Sequence, residues 1–267
     1  MLLAMKNSKK KQRSYSGQLL DSLRVNDSVQ VNTNEYPFTV PLIRNLKEIS
    51  FTTPVTFFVG ENGSGKSTIL EAIAYKAGFG VEGGSKNISF NTSDKKNLSY
   101  TQTLADLLTL SWNSKPFDGY FFRAETFFNV ANYLDVLATE GGQGEVAYHS
   151  YGGKSLHAQS HGESFLSFFN NRLGKGGFFV LDEPEAALSP QRQLSLLVII
   201  NELCKKSDAQ FIIATHSPLL LAYPNSVIYS CDSVTLTQVN YTDTDHYQIT
   251  KSFLNNPESF LHNLFNE

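Results

Sequence analysis

The sequence predicts an α/β fold with a mostly parallel central sheet, and three observations carry that expectation. Apolar runs of strand length recur at Val55–Val59, Phe178–Leu181 and Phe211–Ala214, and each ends in a cluster of polar residues. Such runs, apolar without alternation, suit parallel strands covered by helices on both faces. Helical patterns follow two of them: Ile69, Leu70, Ile73 and Ala77 after the first, and Gln191 to Cys204 behind Pro190 after the second. At 267 residues and 41% hydrophobic content, the chain suffices for one such domain with a smaller lobe, and a second catalytic domain does not fit.

The remaining elements follow in chain order. Residues 1–14 hold Lys6, Lys9, Lys10, Lys11 and Arg13 without an acid and read as a disordered basic tail, either a solubilising arm or a nucleic-acid contact. Setting those five charges aside leaves 17 basic against 25 acidic residues, so the body would bind DNA only through a local patch or the tail. Tyr36–Ile43 and the segment through Phe51 predict opening strands. Asn87–Trp112, with Leu104, Leu107 and Leu108 at helical spacing, is assigned as a lobe insert. A strand over Gly119–Phe122 leads through Arg123 into a helix over Thr126–Ala138, and glycines at 141, 142, 144, 152 and 153 predict a flexible stretch. Val227–Tyr229 and Val234–Val239 predict a late hairpin, and Tyr247–Phe265 a helical tail broken at Pro257. No run of about 18 uncharged apolar residues occurs, so no membrane span is expected. Met1–Ala4 is too short for a signal peptide and precedes the charges instead of following them. The two cysteines, Cys204 on a helix and Cys231 at a strand end, suggest a reducing, cytoplasmic setting.

The chemistry begins at Gly60-Glu61-Asn62-Gly63-Ser64-Gly65-Lys66-Ser67-Thr68, between the first strand and its helix. A triphosphate-binding P-loop has this form: glycines let backbone N–H groups wrap a phosphate, and the helix N-terminus adds a favourable dipole. Lys66 would reach the β and γ phosphates, the Ser67 hydroxyl would ligate an accompanying magnesium ion, and Thr68 is a further phosphate donor. The second run ends in Asp182 and Glu183, at the carboxyl edge where open α/β sheets bind ligands. Asp182 suits the magnesium ion and Glu183 the polarisation of an attacking water. Thr215-His216-Ser217-Pro218 follows the third run, 34 residues beyond Asp182, and brings His216 to that edge to sense a γ phosphate. His149, His157, His161, His246 and His262 show no pairing at metal-ligand spacing.

Gln159-Ser160-His161-Gly162-Glu163-Ser164-Phe165-Leu166 carries two compatible readings. Ser160 and Glu163 form a capping box ahead of Phe165, Leu166, Phe168 and Phe169. A capped helix N-terminus with a glycine is also an anion site, able to grip a γ phosphate from another subunit.

With these four motifs in this order, the chain resembles the ABC ATPase superfamily over roughly residues 36 to 235. Its style is most similar to stand-alone bacterial ATPases related to SMC and RecF-like heads. The resemblance implies a P-loop fold with an antiparallel β part and a helical lobe near residues 120–174 of a single domain spanning 15–267. It further implies Mg-ATP hydrolysis and a head-to-tail dimer of two copies, each nucleotide clamped between one P-loop and the other's signature. Ser160 and Gly162 match the signature serine and second glycine, while His161 and Glu163 depart from its usual glycine and glutamine. Ser189 stands where many members carry a D-loop aspartate. The usual magnesium-sensing glutamine is absent, leaving Arg123 or Glu125 in its loop; Tyr36 or Phe38 is the candidate for stacking on adenine. From Lys66 to Ser160 are 94 residues, too few for the coiled-coil arm of an SMC protein. Two functional classes stay open: a dimeric ATPase switch acting on nucleic acid or a protein partner in repair or defence, and the ATP-binding subunit of a membrane transporter. A non-enzymatic binding module is disfavoured by Glu183.

Overall fold

The computed structural model describes residues 18–85, 95–127, 135–136, 161–173 and 176–265. Among these, two sheets form. The larger has the order β5 (Asp118–Arg123), β6 (Gly177–Asp182), β7 (Gln210–Ala214), β3 (Val55–Val59) and β8 (Val227–Ser230), all parallel, with β9 (Thr237–Val239) antiparallel at the edge. The smaller is antiparallel, with β1 (Leu20–Val25) between β2 (Glu48–Ser50) and β4 (Leu108–Trp112). The predicted α/β class, parallel centre and late hairpin all hold.

Each parallel strand alternates its side chains between two cores, as the period of two requires. Phe58, Phe121, Phe178, Val180 and Ile212 pack toward α2 (Lys66–Lys76), α3 (Lys95–Leu107) and the antiparallel sheet. Phe57, Phe122, Phe179, Phe211 and Ile213 pack toward α4 (His161–Arg172) and α5 (Pro190–Ser207). Phe165, Phe168 and Phe169 of α4 are fully buried, and Phe127 meets Phe165 at 4.1 Å between ring centroids. The two sheets are tied by buried Gln210, whose Oε1 accepts from Leu19 N (2.9 Å) and Leu20 N (2.6 Å) while its Nε2 donates to Leu20 O (2.9 Å).

Two expectations change. The strand expected over Tyr36–Ile43 is a run of turns followed by the helix α1 (Pro41–Asn45). Pro41 opens that helix, where its fixed φ and missing N–H do no harm. Asn87–Trp112 is no lobe insert where it is described: α3 packs on α2, and β4 pairs with β1, a strand that the sequence pattern does not mark. The helical tail is present as α7 (Asp245–Asn255) and α8 (Pro257–Phe265), after the short α6 (Pro218–Leu221). Of the helix expected over Thr126–Ala138, only Phe127, Asp135 and Val136 are described as helical. The basic tail and the glycine-rich stretch lie outside the described residues, and no described helix is long and apolar enough to cross a membrane.

Candidate functional site

All five parallel strands deliver their carboxyl ends to one edge, and the register lines up Arg123 with Asp182 and Asp182 with Ala214. From β3 the chain enters the P-loop. Gly63 takes φ +80° and Gly65 φ +103°, conformations that an L side chain adopts only with strain. A Cβ on Gly63 would meet no atom within 4 Å, so its open side leaves room for a ligand. Lys66 opens α2, and its Nζ donates to the carbonyls of Gly60 (2.6 Å) and Glu61 (3.0 Å). Ser64 Oγ is buried without a hydrogen-bond partner, an unmet polar atom inside the loop. A cavity of about 340 Å³ opens here, lined by Asn62, Lys66, Ser67, Thr68, Glu183 and Tyr36 among others. Tyr36 Oη lies 2.7 Å from Thr68 Oγ1, whereas Phe38 is buried in the core. The structure thus places Tyr36, and not Phe38, at the candidate site.

Ser67 Oγ donates to Asp182 Oδ1 at 3.1 Å. Burial raises the Asp182 carboxyl to about 7; Arg123 opposes the rise and the neighbouring Glu183 adds to it. A hydroxyl and a buried carboxylate side by side offer hard oxygen donors, and magnesium is commonly held by one or two protein oxygens plus phosphates. Among the described residues no cluster of three His, Cys, Asp or Glu forms a closed metal cage.

Glu183 follows β6 in the left-handed region, with φ 49° and ψ 52°. Its N–H donates to Ala214 O (3.0 Å), which fixes the turn against β7. That turn brings Glu183 Oε1 to 3.4 Å from His216 Nε2, so the two residues drawn from separate motifs meet. Glu185, two residues on, accepts from the His216 backbone N–H at 2.6 Å. Its carboxyl is raised by burial against that hydrogen bond. Gln193 of α5 donates to Leu188 O (3.0 Å) and accepts from the Ser217 hydroxyl, joining the segment after Glu183 to the one after His216. Ser217 in turn caps α6, accepting from Leu219 N and Leu220 N.

Arg123, its side chain 10% exposed, lies between two acids, with Nη1 3.0 Å from Glu71 Oε1 and Nε 3.7 Å from Asp182 Oδ2. Thr101 of α3 donates to the other Glu71 oxygen at 2.9 Å. Glu125 is exposed and lines the cavity beside Glu183. Of the signature, α4 opens at His161 with Gly162 in its first turn, and Ser160 lies outside the described residues.

Two residues of the site are not among those the motifs single out. Glu185 is foreshadowed by Asp182-Glu183-Pro184-Glu185, since an acid two residues beyond the strand-end pair stays at the same edge. His246, at the start of α7, places Nε2 2.9 Å from His216 Nδ1, a contact for which the linear spacing carries no signal.

A family profile described as "AAA domain" matches residues 38–118, and one described as "AAA domain, putative AbiEii toxin, Type IV TA system" matches residues 165–222. No curated protein matches the chain. Among solved structures, the SMC head domain from Thermotoga maritima is 16% identical at a TM-score of 0.40, covering 83% of this chain and 98% of its own. CbiO1 from Clostridium perfringens, part of the ABC transporter complex cbiONQ, is 17% identical at a TM-score of 0.48, covering 91% of this chain and 97% of its own. The first AAA profile takes in the P-loop and the second takes in Asp182, Glu183 and His216, the residues that the fold gathers at one sheet edge. Over residues 38–118 and 165–222 the chain is thus similar to AAA domains.

Proposed function

We propose that this protein binds and hydrolyses Mg-ATP, closing as an ATP-sandwiched dimer to act on nucleic acid or a protein partner in a repair-like or defence-like role. The observation that carries the reading is the meeting of Glu183 and His216 at 3.4 Å beside the P-loop. Lys66 and the loop N–H groups would hold the β and γ phosphates. Ser67 and Asp182 would hold magnesium, which when bound neutralises phosphate charge. Glu183 accepts a proton from the water whose oxygen attacks the γ phosphorus, the bond to the bridging oxygen breaks, and ADP leaves with that electron pair. His216 Nε2–H donates to a γ-phosphate oxygen as negative charge builds there. Tyr36, exposed at the cavity wall, would be the aromatic that meets the base.

The signature at Ser160 and Gly162 would complete the site from a second copy. The description of the second profile as a toxin of a toxin–antitoxin system favours a defence-like role over transport. So does Arg123, locked between Glu71 and Asp182 where transporter subunits carry a glutamine.

Turnover tests the reading. Glu183→Gln keeps the Asp182 carboxylate and should still bind ATP, while hydrolysis falls at least about 100-fold. Phosphate release at the wild-type rate from this variant would remove Glu183 from the reaction.

A further inference from the structure

His216 can serve a phosphate only if its Nε2 carries the proton, because a phosphate oxygen accepts and does not donate. That nitrogen is buried, makes no hydrogen bond, and faces the Glu183 carboxylate, itself an acceptor. In a neutral imidazole the proton on Nε2 leaves Nδ1 as an acceptor. The atom presented to Nδ1 is His246 Nε2, at 2.9 Å, with the two rings 5.1 Å apart between centroids. Two nitrogens at that distance share one proton, so one ring donates and the other accepts. The backbone N–H of His216 is already engaged by Glu185, which fixes the main chain but leaves the ring free to turn. We infer that His246 is a positioning residue for the proposed hydrolysis: its Nε2–H donates to His216 Nδ1, holding the His216 proton on Nε2 and its ring toward the γ-phosphate position.

The inference rests on the ATPase reading for its purpose, and the donor direction follows from the acceptor carboxylate that His216 Nε2 faces. Burial first, and His216 second, lower the basicity of His246, which keeps it a neutral single donor. Because His246 is the second residue of α7, the γ-phosphate sensor is tied to the first turn of the C-terminal helix pair. A ring nitrogen held by a second group in this way orients many functional histidines, and loss of such a partner typically costs 10–100-fold in activity.

The test uses the full chain labelled with ¹⁵N in its histidines. A through-hydrogen-bond nitrogen–nitrogen coupling should link the two rings, with the proton covalently on His246 Nε2. A proton on His216 Nδ1, or no coupling, overturns the assignment. His246→Leu should lower kcat about 10-fold or more with little change in KM for ATP. His246→Gln, which returns an N–H near the same place, should recover most of the loss. If His246→Leu changes only the melting temperature and leaves kcat of the folded protein alone, His246 is structural and the inference fails. A wild-type protein that shows the coupling with the proton on His246 but hydrolyses no ATP would sink the proposed function while leaving the hydrogen bond between the two rings in place.

Discussion

Glu183 has a backbone conformation that a glutamate adopts at a cost, and the cost follows from where the site needs its carboxylate. The left-handed turn at φ 49° ends β6 abruptly and sends the side chain toward His216. An L residue there gives up roughly 1–2 kcal/mol, and asparagine tolerates the region best after glycine. Glu183→Asn should therefore raise unfolding stability by about 1 kcal/mol while abolishing turnover. Urea melts showing a less stable variant would mean that contacts of the Glu183 side chain outweigh its backbone strain. Asp182 supplies a pH signature. Its carboxyl is raised to about 7 in the folded protein, so between the ordinary carboxylate range and about pH 7 the folded state binds a proton that the unfolded state has lost. Stability of the metal-free, nucleotide-free protein should thus fall as pH rises through that window, by about 1.4 kcal/mol for each pH unit over which only the folded state holds the proton. Asp182→Asn should flatten the slope in denaturant midpoints; an unchanged slope would assign the titration elsewhere. The residues of both motifs are legible in the sequence because they sit where strands end. His246 is not, because its partner lies 30 residues away and only the return of α7 to the sheet edge joins them.

At the scale of elements, β3, β6 and β7 are legible because burial on both faces leaves an apolar run that only Thr56 interrupts between their ends. β1 is not: Leu20-Asp21-Ser22-Leu23-Arg24-Val25 mixes charges into a strand whose sheet has one covered side. β4 is hidden for another reason, since Leu108 continues the apolar spacing of α3 and the pattern cannot mark where helix becomes strand. The short α1 imitates a strand because Tyr36, Phe38 and Val40 alternate, and Pro41, which opens the helix, continues the same run. Beside the apolar packing of Leu20 and Leu23, β1 is joined to the larger sheet by the Gln210 side chain, fully buried and serving three backbone groups of Leu19 and Leu20. Gln210→Leu should leave those groups without partners and cost about 3 kcal/mol. Chemical denaturation with a loss below about 1 kcal/mol would show that apolar packing and the Tyr229–Ser50 hydrogen bond dock the two sheets without Gln210.

For the whole molecule, one copy brings together the P-loop, Asp182, Glu183 and His216, and Phe165, Phe168 and Phe169 of α4 join a fully buried aromatic cluster with Tyr120, Phe122 and Phe179 of β5 and β6. Phe165 of that helix, with Glu125, Glu183 and the Leu188–Ser189 segment, lines a second cavity of about 580 Å³. A dimer closed by nucleotide would draw on that cavity, with the second copy's signature completing each site. Blocking hydrolysis while preserving ATP binding should trap the closed form, so the decisive quantity is the mass of Glu183→Gln in sedimentation, with and without Mg-ATP. A monomer is expected without nucleotide and a dimer with it, reversed when Lys66→Ala is added to the same chain. A species of one mass under both conditions, with ATP shown to be bound, would rule out nucleotide-driven closure.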